Sequence, residues 1–230
     1  VTGVQTCALP ISEPMADGLQ MVRKAEIKPG ENVMVFGVGI IGLGVIQAIR
    51  AKCPDVGRVI AVDVHDLRLE AALQVGATDT INPRNGDVFE AAVALCGEEN
   101  DYRGHSARID VVIDCAGYIK HIPGPPPLEI ALHCLANRGG RIVCFGGYED
   151  KMLIDFGYVI KKEPVIIGSN GYAAEELVEA LQMMKDGTVD RQSLISHSYP
   201  LEQIGEAFEM QATPAAVKVM LEIPQAEPVG

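Results

Sequence analysis

A glycine-rich turn between a β-rich run and a helical pattern constrains this 230-residue chain more than any other feature. The run NVMVFG at 32–37 leads into GVGIIG, and an apolar helical pattern follows at 41–52. In such a turn the first glycine permits a tight bend, the second lets the backbone approach a pyrophosphate, and the third lets the helix pack on the strand. Unpaired N–H groups at the helix start then face the phosphates. The sequence therefore predicts a dinucleotide site at Gly37, Gly39, Ile40, Ile41 and Gly42.

An acidic residue ends the next β-rich run. Asp63 closes RVIAVD at 58–63, 21 residues after Gly42. A carboxylate at the end of the second strand can accept hydrogen bonds from an adenosine ribose, and it would repel a 2′-phosphate. The sequence therefore favours NAD over NADP. The alternative is an aspartate that only precedes a helix, although Asp66 is the better candidate for a helix cap.

Strand and helix patterns alternate from Asn32 onward, which is typical of βαβ units and a parallel sheet. The predicted strands lie at 32–37, 58–63, 77–82, 109–117 and 141–147, and the helices at 41–52, 67–75, 87–95 and 128–136. Further strands are expected at 152–156, 164–170, 194–200 and 216–223, with helices at 173–186 and 201–210. The segments 97–107 and 121–127 are expected to be surface loops. The predicted fold class is α/β, a doubly wound parallel sheet of the Rossmann type.

Charge and composition exclude several classes of partner. The formal net charge is -12, which argues against nucleic acid and anionic membranes, since both require clustered Lys and Arg. No uninterrupted apolar run approaches the 18 residues of a membrane span. Neither the cysteines nor the histidines show the spacing of a metal site, and reduced thiols are expected. A cytoplasmic protein is the expectation.

The first eleven residues, VTGVQTCALPI, resemble the translation of a sequencing-library adapter. We therefore expect 1–11 to be an artefact and leave it out of the fold argument. On that interpretation an unknown length of native sequence is missing before Ser12.

With these motifs in place, the chain resembles the medium-chain dehydrogenase/reductase family, in its polyol, threonine and butanediol dehydrogenase branch. The resemblance is carried by EPMADGLQMVRKA at 13–25, PGENVMVFGVGIIGLG at 29–44, VIAVDVHDLRLEAALQVGATDTIN at 59–82, and LISHSYPLEQIGEAFE followed by KVMLE. It implies a linking helix at 12–28, an NAD-binding domain at 29–171, and the C-terminal part of a GroES-like catalytic domain at 172–230. It also implies a zinc-type NAD-dependent dehydrogenase that takes hydride from a secondary alcohol.

The same resemblance suggests roles for individual residues. Glu13 matches a glutamate beside the family's zinc, and Arg68 matches a basic residue near the adenosine ribose. The nicotinamide half is expected beside Cys115 and Ala116 and beside Phe145, Gly146 and Gly147. The remaining zinc ligands and the proton relay belong to a part of the family's catalytic domain that is absent here, so the chain alone is expected to bind cofactor without turning over an alcohol or ketone. A homodimer or homotetramer is expected through the strand at 152–156.

Three other functions stay open. A zinc-free reductase of enones or quinones belongs to the same superfamily, but Glu13 and Asp63 argue against it. An S-adenosylmethionine methyltransferase shares the glycine turn and the acidic strand end, but the segments at 194–209 and 218–222 do not suit it. A non-catalytic nucleotide-binding module is the third alternative.

Overall fold

The computed structural model describes residues 9–118 and 124–223. Its α-helices are α1 (Leu9–Ala25), α2 (Ile40–Lys52), α3 (Asp66–Gln74), α4 (Val88–Cys96), α5 (Pro127–Cys134), α6 (Phe156–Lys162), α7 (Ala174–Lys185) and α8 (Ile204–Gln211). Its strands are β1 (Val33–Phe36), β2 (Val59–Val62), β3 (Asp79–Ile81), β4 (Glu98–Asp101), β5 (Gly104–Ala107), β6 (Val111–Asp114), β7 (Arg141–Cys144), β8 (Val165–Gly168), β9 (Ile195–Pro200) and β10 (Lys218–Glu222).

Six parallel strands form the central sheet in the order β3-β2-β1-β6-β7-β8. The chain runs outward from β1 to β3 and then returns to place β6 on the other side of β1. Val33 of β1 is therefore in register with Val59 of β2 on one side and Val111 of β6 on the other. Ligands in open α/β sheets bind at such a reversal of strand order, beyond the carboxyl ends of the strands. The predicted α/β fold class is confirmed.

Helices cover both faces of the sheet, which explains why the inner strands are apolar without interruption. Val33 and Val35 face a core that includes Ile46 and Ile49 of α2, together with residues of α1, α3 and α7. The alternate residues Met34 and Phe36 face a second core built with α4, α5 and α6. All four residues of β1, β2 and β6 are buried.

A helix, α1, forms over most of the segment 12–28 and packs closely on α2. A Cβ atom on Gly18 would lie 2.9 Å from the carbonyl carbon of Gly44, so the absence of a side chain permits this contact. Gln20 of α1 donates a 2.8 Å hydrogen bond to the carbonyl of Gly171, which anchors the helix to the chain that follows β8. Because α1 begins at Leu9, it overlaps the expected artefact at 1–11. The origin of that segment stays a prediction, and 1–8 lie outside the described residues.

Two sequence predictions are wrong. The segment 97–107 is not a loop but the antiparallel hairpin of β4 and β5, and Asn137 donates a 2.9 Å hydrogen bond to its Asp101. The segment 152–156 forms no strand: Asp155 caps α6 by accepting a 2.7 Å hydrogen bond from the Gly157 N–H. The free edge of β7 is taken by β8, so the outer edge of the sheet lies at β8. Of the predicted loop at 121–127, residues 121–123 lie outside the described residues.

The C-terminal part is connected to α1 and α2 through a buried cation. After α7, strands β9 and β10 pair in parallel. Arg191 is fully buried and donates to the carbonyl of Ile40 at 3.0 Å and to Gln47 Oε1 at 3.2 Å, both in α2. It also reaches the carbonyl of Ile11 in α1. Arg191 thereby connects the start of α2 to α1 and to the segment that follows α7. In the described part of the chain, no helix is long and apolar enough to cross a membrane.

Candidate dinucleotide site

A groove of about 630 Å³ opens at the reversal of strand order. The glycine turn forms its floor, and the chain that follows β2 and the chain that follows β6 form its sides. Gly124 to Pro127, at the start of α5, close the remaining side. The groove is therefore placed where a parallel sheet of this topology binds a ligand.

Each glycine of the turn lacks a side chain for a different steric reason. Gly37 has φ of +77°, and a Cβ there would lie 2.8 Å from the backbone nitrogen of Ala116. A Cβ on Gly42 would collide with the carbonyl of Gly37. Around Gly39, in contrast, the space is open to 4 Å, because this residue faces the groove. The turn thus offers bare backbone at the start of α2, which has no side-chain cap at Gly39. Bare N–H groups at a helix start are suited to phosphate.

Asp63 joins the turn to the end of β2. Its buried carboxylate accepts one 3.0 Å hydrogen bond from the N–H of Val38 and another from the N–H of His65. Each carboxylate oxygen can still accept a further hydrogen bond, such as one from a ribose hydroxyl. Nη1 of Arg68 lies 4.0 Å from Asp63, and its buried Nε has no hydrogen-bond partner among the described residues. Both predicted residues line the groove, and an unpartnered donor there fits a ligand with polar groups.

Asp114 shapes the opposite side of the groove, and sequence reasoning missed it because it lies within the apolar run VVIDCAG. Its Oδ1 accepts from the N–H groups of Ala116, at 3.0 Å, and Gly117, at 2.9 Å. Its Oδ2 accepts from the Tyr148 hydroxyl at 3.0 Å. Burial raises the pKa of Asp114, and these hydrogen bonds act against that rise. The only sequence signal was a carboxylate at the carboxyl end of a strand.

The residues predicted to contact the nicotinamide half of the cofactor fall into two groups: some line the groove and others lie behind it. Cys115 and Ala116 line the groove, together with Tyr118, which the sequence did not single out. Phe145 and Gly146 instead donate their N–H groups to the carbonyl of Asp114, behind the groove wall. Gly147 accepts from the Tyr118 N–H at 2.9 Å. The segment 145–147 is absent from the groove lining and supports the wall that lines it.

Glu13 and Asp17 lie one turn apart on α1. Glu13 is exposed, whereas Asp17 is buried and its Oδ1 has no hydrogen-bond partner among the described residues. Burial, with a smaller contribution from Glu13, raises the pKa of Asp17 to about 6. Within 9–118 and 124–223, no three His, Cys, Asp or Glu side chains come together as metal ligands. The described residues therefore do not by themselves fit a zinc ion.

Comparison with known sequences now adds to this geometry. A family profile described as zinc-binding dehydrogenase matches residues 41–186, which include α2, the acidic strand end and the groove wall. The chain belongs to the zinc-binding dehydrogenase family. The resemblance stated from the sequence is confirmed.

Relatives of this chain include proteins named as polyol enzymes. It is 29% identical to a sorbitol dehydrogenase from Bacillus subtilis over 212 residues, which cover 91% of this chain and 55% of the relative. It is 30% identical to a probable D-xylulose reductase A from Emericella nidulans over 216 residues, 94% of this chain and 56% of the relative. The chain thus spans about half the length of these relatives. A short chain alcohol dehydrogenase from Escherichia coli CFT073, solved with NADH, has the same fold, with a TM-score of 0.74 at 23% identity over 91% of this chain and 57% of that one.

The Tyr148 hydroxyl should stabilise the folded chain most when Asp114 is ionised. Because burial raises the pKa of Asp114 in the folded chain, its ionisation favours unfolding, and stability falls as pH rises above the ordinary pKa of 3.8. Tyr148→Phe removes a donor to the carboxylate, so we expect a loss of about 1 kcal/mol at pH 8 and a smaller loss at pH 4. Urea unfolding followed by circular dichroism measures both. Tyr102→Phe is the control, since Tyr102 is 84% exposed. An equal loss at both pH values would contradict the assigned role.

Proposed function

We propose that the whole protein is an NAD-dependent alcohol or polyol dehydrogenase that moves hydride between a secondary alcohol and NAD. The family match and the names of the relatives, sorbitol dehydrogenase and D-xylulose reductase, support a polyol or a related alcohol or ketone as substrate. The described part of this chain would supply the cofactor-binding half of that activity. NAD, when bound, accepts the hydride.

The proposal is supported most directly by the buried carboxylate of Asp63, which lines the groove at the end of β2. Its two oxygens are fixed by the Val38 and His65 N–H groups, so they are already positioned for the adenosine ribose. A 2′-phosphate would meet this fixed negative charge, which supports NAD over NADP. Arg68, five residues further along the chain, would use its unpartnered Nε on the same ribose.

The remaining contacts follow from the shape of the groove. The backbone N–H groups of Gly39, Ile40 and Ile41 would bind the pyrophosphate at the start of α2. Cys115 and Ala116 would contact the nicotinamide half, held in place by Asp114 behind them. Burial raises the pKa of the Cys115 thiol well above its usual value, so this residue would act as an apolar surface and not as a nucleophile.

Zinc is part of the proposal only for the whole protein. Glu13 is the one metal candidate that the sequence offers, and in the described residues it has no clustered ligands around it. A zinc-free reductase of the same superfamily remains the alternative enzyme, and a non-catalytic NAD-binding module remains the alternative without chemistry. A cytoplasmic location stays a prediction.

We also propose that two copies pair along the free edge of β8. The edge residues Val165 and Ile166 are 52% and 43% exposed, and an unpaired apolar edge invites another strand. This replaces 152–156, which is not a strand, as the pairing element. Light scattering on the purified chain of 24.6 kDa should give twice that mass, and Ile166→Lys should give the single mass. A monomer at all concentrations would refute the pairing.

Binding of NAD is the direct test of the proposed function. In a thermal-shift titration, NAD+ should raise the melting temperature and NADP+ should raise it much less. Asp63→Asn should weaken NAD+ binding about tenfold, equivalent to ~1.4 kcal/mol, and narrow the difference between the two nucleotides. Asp55→Asn, at an exposed carboxylate between α2 and β2, is the control and should bind as the parent does. Stabilisation by S-adenosylmethionine and not by NAD+ or NADH would reject the dehydrogenase function.

A further inference from the structure

A fully buried arginine contacts the first turn of the helix that follows the glycine turn. Arg191 lies after α7 and is 1% exposed. Its Nη2 donates a 3.0 Å hydrogen bond to the carbonyl of Ile40, the first residue of α2. Ile40 and the next residue, Ile41, both line the groove. The guanidinium is therefore one residue away from the groove, although Arg191 has no role in the function proposed so far.

The surrounding helices hold the guanidinium in a defined position. Besides the bond to α2 from Nη2, Nη1 donates at 3.2 Å to Oε1 of Gln47, one turn further along α2. Nε donates at 3.3 Å to the carbonyl of Ile11 in α1. A Cβ on Gly44 would lie 3.1 Å from Nη1 of Arg191, so the missing side chain leaves room for the cation. All three nitrogens of the guanidinium are thus fixed to α1 and α2.

No carboxylate neutralises the positive charge of Arg191. Its three acceptors are neutral oxygens, two of backbone carbonyls and one of a side-chain amide. The preceding residue, Asp190, uses its Oδ1 on the N–H groups of Gln192 and Ser193. Among the described residues, no ion pair includes Arg191. Burial lowers the pKa of Arg191 to about 10, so the guanidinium remains charged at neutral pH.

A cation at this end of α2 is unfavourable for the protein alone. The peptide dipoles of a helix place partial positive charge at its first turn, which attracts anions and repels cations. No acidic residue in the first turn of α2 compensates for Arg191. Burial of a charge that has no partner of opposite sign adds a further cost. The same cation becomes favourable when an anion binds at the start of α2, so its presence there indicates an anionic ligand.

We propose that Arg191 is a positioning residue for the pyrophosphate of the cofactor and acts through the peptide group between Ile40 and Ile41. This inference rests on the proposed NAD-binding function, in which the N–H groups at the start of α2 bind the pyrophosphate. The Ile40 carbonyl and the Ile41 N–H belong to one peptide group. A charged donor at the carbonyl oxygen polarises that group, which makes its N–H a stronger donor to phosphate. Arg191 thus fixes this peptide and strengthens its hold on the anion.

The test compares ligands with and without the pyrophosphate. Dissociation constants of the purified chain for NAD+ and ADP are measured by isothermal titration calorimetry, and that for adenosine by a ligand-observed NMR titration. For the uncharged variants Arg191→Gln and Arg191→Met, we expect NAD+ and ADP to bind about tenfold more weakly and adenosine to change less than twofold. Arg191→Lys, which keeps the charge, should recover most of the lost affinity.

Arg141→Gln is the matched control for these variants. Like Arg191, this half-buried arginine donates to a helix carbonyl, that of Ala25 in α1, at 2.7 Å. It differs in that it begins β7, at the end of the strands opposite the groove, and forms an ion pair with Glu31. The control should leave the affinities for all three ligands unchanged.

The outcomes separate this inference from the function on which it rests. If the parent chain binds NAD+ and a folded uncharged variant binds all three ligands equally more weakly, or as the parent does, the role of Arg191 is wrong and the NAD site stands. If the parent chain binds neither NAD+ nor ADP, the proposed function and this inference both fall. Circular dichroism melts show which variants are folded. A folded Arg191→Lys that binds as weakly as Arg191→Gln would also overturn the role of the charge, whereas a loss confined to NAD+ and ADP and recovered by lysine supports it.

Discussion

The close approach of backbone to backbone at the glycine turn is the constraint on which the rest of the structure depends. A side chain on Gly37 would meet Ala116, and one on Gly42 would meet the carbonyl of Gly37. Because both positions lack a Cβ, α2 can begin directly above the end of β1 and beside the end of β6. The buried carboxylate of Asp63 then ties the same turn to the end of β2. Three strand ends and one helix start are thereby brought to a single groove.

Burial of polar groups around the groove costs folding stability. Their presence despite that cost indicates that they serve ligand binding. The central strands are apolar, yet Asp114 and Asp63 are buried at their carboxyl ends. Both carboxylates accept hydrogen bonds from backbone N–H groups and thereby fix the walls of the groove. Arg68 Nε, in contrast, has no hydrogen-bond partner among the described residues. A ligand with polar groups, such as NAD+, suits such a groove.

Sequence reasoning predicted the elements that have strong periodicity and short-range causes. The strands β1 and β2 and the helix α2 follow from apolar runs and the glycine turn, so their positions could be predicted to within a few residues. The hairpin at 98–107 is polar and depends on Asn137, a partner far along the chain, which no local pattern reveals. A strand was predicted at 152–156, but β8 occupies the position beside β7.

The part of the groove formed by the glycine turn and Asp63 was predictable from the sequence, and the rest of the groove was less so. The glycine turn and Asp63 form a recognisable pattern with fixed spacing. Asp114 is hidden in an apolar strand, and its role appears only when the Ala116, Gly117 and Tyr148 donors converge on it.

The central claim, that one groove at the ends of β1, β2 and β6 binds NAD, is tested most directly by amide hydrogen exchange with and without NAD+. The account predicts slower exchange at 37–43, at 63–65 and at 115–118, with little change in the hairpin β4–β5. Protection confined to the smaller cavity between α4 and α5, beside Phe89 and His133, would contradict it. An exchange pattern that NAD+ leaves unchanged throughout the chain would contradict it as well.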